Sequence, residues 1–149
     1  MENYSYLNSL LVRKDSTYQE FEYHLTRLAV SEQTYLNLFL VTVVTHKAHV
    51  PDLSKYLELL TSFHTITRKK SADINYIGYK DRKNILMHAA HRGTPQAVEL
   101  LLNYKIEAEV RDPLGKTAAF YAIRNANEEH ANVILGTLLN RFPKLVHVY

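Results

Sequence analysis

Residues 84–90 and 117–123 carry one pattern written twice. With Asn84 set on Thr117, an offset of 33 positions, Ile85-Leu86-Met87-His88-Ala89-Ala90 lies over Ala118-Ala119-Phe120-Tyr121-Ala122-Ile123. Farther on, Val98, Leu101 and Leu102 match Leu135, Leu138 and Leu139 once about four residues are inserted near "NANEEH". A unit of this period is too small to bury its own apolar face, so neighbouring units must share a core. Each unit reads as two short helices. Thr94-Pro95 supplies an N-cap and a proline at the first helical position. Asn127, followed by Glu128 and Glu129, does the same with acidic first-turn residues. In the first unit Leu86, Ala89 and Ala90 take the packing positions and Gly93 the turn.

The N-terminal half follows helical spacing without repeating so plainly. Tyr6, Leu7, Leu10 and Leu11 share one face of a helix over 4–12. Ser16 and Gln19 have capping-box spacing, and Tyr18, Phe21, Leu25 and Leu28 then recur at steps of three and four. "SEQTYLNLFLVTVVTHKAHV" is rich in β-branched residues, yet its place between helical segments favours a buried helix. Asp52 can N-cap a stripe of Leu53, Tyr56, Leu57, Leu60 and His64, and "TITRKKS" reads as an exposed basic loop.

Composition removes several classes of function. The chain has 149 residues and no cysteine, which excludes disulfides and thiolate metal sites and suits a reducing cytoplasm. A net charge of +3 is a mild basic bias, well short of a nucleic-acid arm. "MENYSYLNSLLVRKD" lacks the basic and apolar regions of an ordinary signal peptide. The longest apolar stretch, Leu36 to Val44, is too short for a transmembrane helix of roughly 20 residues. No membrane role is expected.

With the repeat in place, the chain resembles the ankyrin-repeat family. "SADIN" (71–75) is similar to the family's Gly-Ala-Asp-Val-Asn element. "RDPLGKTAAFYA" (111–122) is similar to its Asp-x-x-Gly-x-Thr-Pro-Leu-His-x-Ala element, with Asp112, Gly115, Thr117 and Ala122 in place, and "HAAHRG" with "AVELLL" completes the pattern. The resemblance covers 71–140 and rests on helix pairing before that. It implies an all-α fold, an α-solenoid of helix-turn-helix repeats with short hairpin loops. The chain would be a single domain of 1–149, with degenerate helix pairs in 1–70 and two recognisable repeats in 71–149. The pairs would fall at about 1–30, 31–70, 71–110 and 111–149, stacked on a shared core. Met87 and Phe120 replace the family's turn histidine, and only four glycines occur, so several turns must do without the usual left-handed residue. The tail "PKLVHVY" aligns with "IEAEVRD", where another hairpin would begin.

The candidate site residues follow from the repeat register. His88 and His91 share a helix face, as a metal pair would. No third ligand or His-Glu-x-x-His pattern accompanies them, and the register points His88, His91 and Arg92 outward to the concave side. The same positions one unit on are Tyr121, Arg124 and Asn125, giving a strip of aromatic, basic and amide groups of the kind enriched in interfaces. His46 and His49 repeat the spacing at a helix end, where imidazolium suits the dipole. "NYIGYKDRK" (75–83) reads as a hairpin with Tyr76, Ile77 and Tyr79 at its tip; partner contact and packing against a neighbouring hairpin are both open there. Lys80, Arg82 and Lys83 join Arg68, Lys69 and Lys70 as a basic patch.

Phosphate loops, nucleophile elbows and paired carboxylates around a histidine are missing from the sequence. The expected function is therefore a non-enzymatic protein–protein interaction module, without cofactor, catalytic residue or metal, acting in the cytoplasm. Its partner would be another protein, bound through the concave face and hairpin tips by His88, His91, Arg92, Tyr121, Arg124, Asn125, Tyr76, Tyr79, Lys80 and Arg82. The alternatives are nucleic-acid or acidic-partner binding through the basic 68–83 region, with nucleic acid the less favoured, and a small enzyme or metal protein. The resemblance also admits an effector delivered by an intracellular bacterium or virus to act on a host protein.

Overall fold

The computed structural model describes residues 2–28, 33–62 and 71–147. His64, the Leu28 side chain and the basic loop around Arg68, Lys69 and Lys70 lie outside the described residues. The chain forms two compact units, residues 1–74 and 75–149. No strand occurs among the described residues, and the fold is all-α as expected.

The first unit holds α1 (Glu2–Val12), α2 (Tyr18–Leu28), α3 (Gln33–His46) and α4 (Leu53–Thr61). The β-branched run does form a helix. Leu36, Phe39, Leu40, Val43 and Val44 of α3 are buried against Leu7, Leu10 and Leu11 of α1 and the α4 stripe, so tertiary burial overrides strand propensity. The Phe21 ring lies edge-on to Phe39, with centroids 5.6 Å apart. The capping box sits one residue later than its spacing suggested. Thr17, not Ser16, accepts from the Glu20 amide (3.1 Å), and the Glu20 carboxylate accepts from the Thr17 amide (3.3 Å). Ser16 is taken up elsewhere, its hydroxyl donating to the Leu10 and Arg13 carbonyls that end α1. Asp52 holds the N-cap position of α4 but accepts no amide there; its carboxylate lies 3.4 Å from the Lys55 ammonium.

Lys47 is the unexpected core residue of this unit. It is 2% exposed, and its Nζ donates to the Arg13 carbonyl (2.7 Å), the Ser16 carbonyl (3.3 Å) and the Ser16 hydroxyl (2.9 Å). Burial pushes its ammonium below the ordinary value. One buried cation thus satisfies the oxygens of the α1–α2 turn.

The second unit holds α5 (Ile85–Arg92), α6 (Pro95–Asn103), α7 (Ala118–Ile123), α8 (Glu128–Arg141) and a 3-10 turn at Pro143–His147. Asn84, Thr94 and Asn127 cap α5, α6 and α8, each side chain accepting the amide three residues on. Thr117 begins α7 without such a bond. Ala89, Ala90, Ala118, Ala119 and Ala122 are buried where α5 packs on α7, and their small side chains let the two helices lie close. In α8 the structure buries Ile134 and Leu138, leaving Leu135 half-buried. The insertion expected near "NANEEH" does not occur: Asn127 caps α8 at the same repeat position as Thr94 caps α6, Ile134 takes the buried place of Leu101, and α8 runs on farther at its C-terminal end. The tail folds as the 3-10 turn, with Leu145 buried, rather than as the start of a hairpin.

Scarcity of glycine is met by strained residues. Arg82 (φ 58°) and Lys105 (φ 61°) take the left-handed conformation, as Gly115 does (φ 81°). Gly93, expected as the turn residue, has φ −97° and needs no such freedom.

Two stability effects follow. Lys47→Met leaves the turn oxygens without a donor and lowers stability by about 1–3 kcal/mol in urea unfolding at neutral pH. Lys105→Gly, just beyond the C-cap of α6, relieves the left-handed strain and raises the midpoint, by up to about 1 kcal/mol.

Candidate functional site

The second unit's hairpins, not its helix surface, decide where the register residues point. Asp112 accepts from the Leu114 and Lys116 amides (both 2.9 Å) across the turn at Gly115, and from the Tyr121 hydroxyl (2.5 Å) on α7. Burial would raise this carboxyl, but the bonds from Tyr121, Lys116 and Leu114 outweigh it and hold it below its ordinary value of 3.8. Tyr121 is correspondingly pushed up to about 12, first by burial and then by the Asp112 carboxylate.

One unit earlier, His88 occupies the register of Tyr121 and makes the analogous contact. Its Nε2 lies 3.3 Å from the Asp81 carboxylate, with the side chain 16% exposed. Burial holds its imidazole below the ordinary value, outweighing the pull of Asp81. Neither residue is an outward strip member, because each reaches back to the aspartate of its own hairpin. Asn125 is also turned inward. Its side-chain N–H groups donate to the Ala90 (3.0 Å) and Gly93 (3.2 Å) carbonyls at the end of α5, and its oxygen accepts from the Asn127 amide (2.9 Å).

His91, Arg92 and Arg124 remain at the surface, around an open hollow of about 430 Å³ between the α5–α6 and α7–α8 turns. Burial, then Lys83, Arg92 and Arg124, holds the half-buried His91 ring below its ordinary value. That ring lies 6.0 Å from Tyr121, over which the Lys83 ammonium sits at 4.7 Å. His130 also lines the hollow and was missed in the sequence. Its signal was its place three residues after the N-cap Asn127, which fixes it in the first turn of α8.

The 75–84 hairpin closes through a bridge between Ile77 and Asn84 and a bond from the Gly78 amide to the Lys83 carbonyl (3.0 Å). Tyr76 is half-buried, Lys80 and Arg82 are exposed, and Tyr79 is 89% exposed. The structure therefore brings His91, Arg92 and Arg124 together and sets Tyr79, Lys80 and Arg82 on the hairpin tip. In the first unit His46 and His49 are exposed. Among the described residues no group of three or more His, Asp or Glu is placed to hold a metal ion, and no helix is long and apolar enough to cross a membrane.

A family model described as ankyrin repeats, in three copies, matches residues 51–141. No curated protein matches the chain at a significant level.

Asp112→Asn tests the hairpin. The variant keeps the shape but weakens three bonds to a charged acceptor, and loses about 1–3 kcal/mol at neutral pH. The folded carboxyl titrates below its unfolded value, so its contribution is full above the ordinary carboxylate range and fades as pH falls through the folded value. Acid unfolding of the variant, followed by circular dichroism, accordingly depends less steeply on pH below about 4.

Proposed function

Because the chain belongs to the ankyrin-repeat family, we propose that it is a non-enzymatic module that binds one protein partner through the second unit's hairpin tip and the neighbouring basic surface. Ankyrin repeats are general protein–protein interaction modules, and the family is typically non-enzymatic. The observation that carries the reading is Tyr79. A large aromatic side chain stands 89% exposed on a hairpin pinned by backbone bonds and by the Asp81 carboxylate, which accepts from the Lys83 amide (3.0 Å). A rigid aromatic of this kind provides contact area at little entropic cost. Lys80 and Arg82 stand with it on the hairpin, and Arg92, Arg124 and His91 form a second basic surface at the C-terminal ends of α5 and α7. The lack of cysteine supports action in a reducing cytoplasm.

The Tyr79→Ala/Lys80→Ala double variant removes two exposed side chains and keeps the fold by circular dichroism. Its affinity for a partner isolated with the natural chain falls about tenfold or more, measured by calorimetry. Full affinity in the folded variant overturns the reading.

A further inference from the structure

The hollow beside α5 and α7 has a chemistry that packing does not use. His91, Arg92, Arg124 and His130 stand in its walls, and no acidic residue lines it. None of these four side chains makes an ion pair among the described residues. The amides that share the walls are committed, Asn125 to the Ala90 and Gly93 carbonyls and Asn127 to the His130 amide. Arg124 lies 5.7 Å from the Phe120 ring centroid, which steers its guanidinium without neutralising it. Positions 91 and 124 share one register across the repeat, so consecutive units point a basic group at the same place. Burial first, and then the neighbouring Lys83, Arg92 and Arg124, disfavours a proton on His91. Uncompensated cations around a concavity raise a positive potential that an anion relieves.

We propose that this hollow receives a carboxylate side chain from an acidic segment of the protein partner. Arg92 and Arg124 grip the carboxylate through their planar guanidinium groups, and His91 and His130 donate ring N–H groups from the sides. Guanidinium suits this role because it stays charged and meets a carboxylate with two parallel bonds. The inference rests on the protein-binding reading and gives that partner its chemistry. Acidic residues flanking an apolar anchor would engage the hollow and Tyr79 separately.

The test is a nuclear magnetic resonance titration of the 149-residue chain with hexaglutamate, alongside hexaglutamine, inorganic phosphate and hexathymidylate. Hexaglutamate is expected to shift the His91, Arg92, Arg124 and His130 signals saturably, and hexaglutamine to leave them still. Arg92→Gln/Arg124→Gln, both at exposed positions, is expected to weaken hexaglutamate binding about tenfold or more. Absence of saturable shifts overturns the proposal, as does equal binding by the double variant. Phosphate or hexathymidylate binding as tightly as hexaglutamate overturns it too, by assigning the hollow to a phosphate-bearing ligand. Tyr79 and Lys80 are untouched in this variant, so failure here is distinct from failure of the hairpin contact.

Discussion

A carboxylate buried with three donors around it organises the second unit. Asp112 joins the two sides of its turn through the Leu114 and Lys116 amides and fastens that turn to α7 through the Tyr121 hydroxyl. An ionised group tolerates such burial only when hydrogen bonds replace its water, so the turn, the carboxylate and the tyrosine form as one arrangement. Asparagines extend the principle along the repeat. The Asn84 side chain donates to the Glu107 carbonyl, and the Asn75 side chain accepts from the Glu107 amide. Loops poor in glycine are thus fixed by side chains that meet backbone groups directly, and among the described residues no buried side-chain nitrogen or oxygen lacks a partner.

Much of this was readable where a residue type has a single local use. The Thr94-Pro95 start of α6, the Asn127 cap of α8 and the Leu53, Tyr56, Leu57, Leu60 stripe all stand as their spacing predicts. Spacing failed where two residues compete for one role. Ser16 and Thr17 both offer a hydroxyl before α2, and which one caps depends on Lys47 and the α1 carbonyls, which lie far off in sequence. Lys47 itself carries no signal of burial, since its charge is tolerated only through oxygens that the folded turn supplies. The α8 register was misread because Ala131 and Ile134, the counterparts of Val98 and Leu101, make a weaker apolar match than Leu135, Leu138 and Leu139 farther along a longer helix.

Site residues divided along the same line. The register gave His88, Tyr121 and Asn125 as outward positions, yet Tyr121 is buried and the other two are turned back, so such a position has two possible fates. A hairpin aspartate within reach draws the side chain back, as Asp81 does His88 and Asp112 does Tyr121. Where no such acceptor is near, three positions farther along the helix, the side chain stays at the surface, as Arg124 does. The choice lies in hairpin geometry, which periodicity does not report.

That division bears on how such a surface can vary while its scaffold persists. Residues that latch a hairpin are coupled to its backbone, so changing them disturbs folding along with any contact they make. Among the described residues Arg92, Arg124 and Tyr79 make no ion pair, and they are exposed, so changing them alters what the surface attracts at small cost to stability. The latches in turn hold the exposed groups in place before a partner arrives. Less conformational entropy is then lost on binding, and a few anchors suffice for affinity. In this unit the rigidity comes from buried polar bonds at the hairpins, and in the proposed function the specificity comes from the surface cations and the tyrosine.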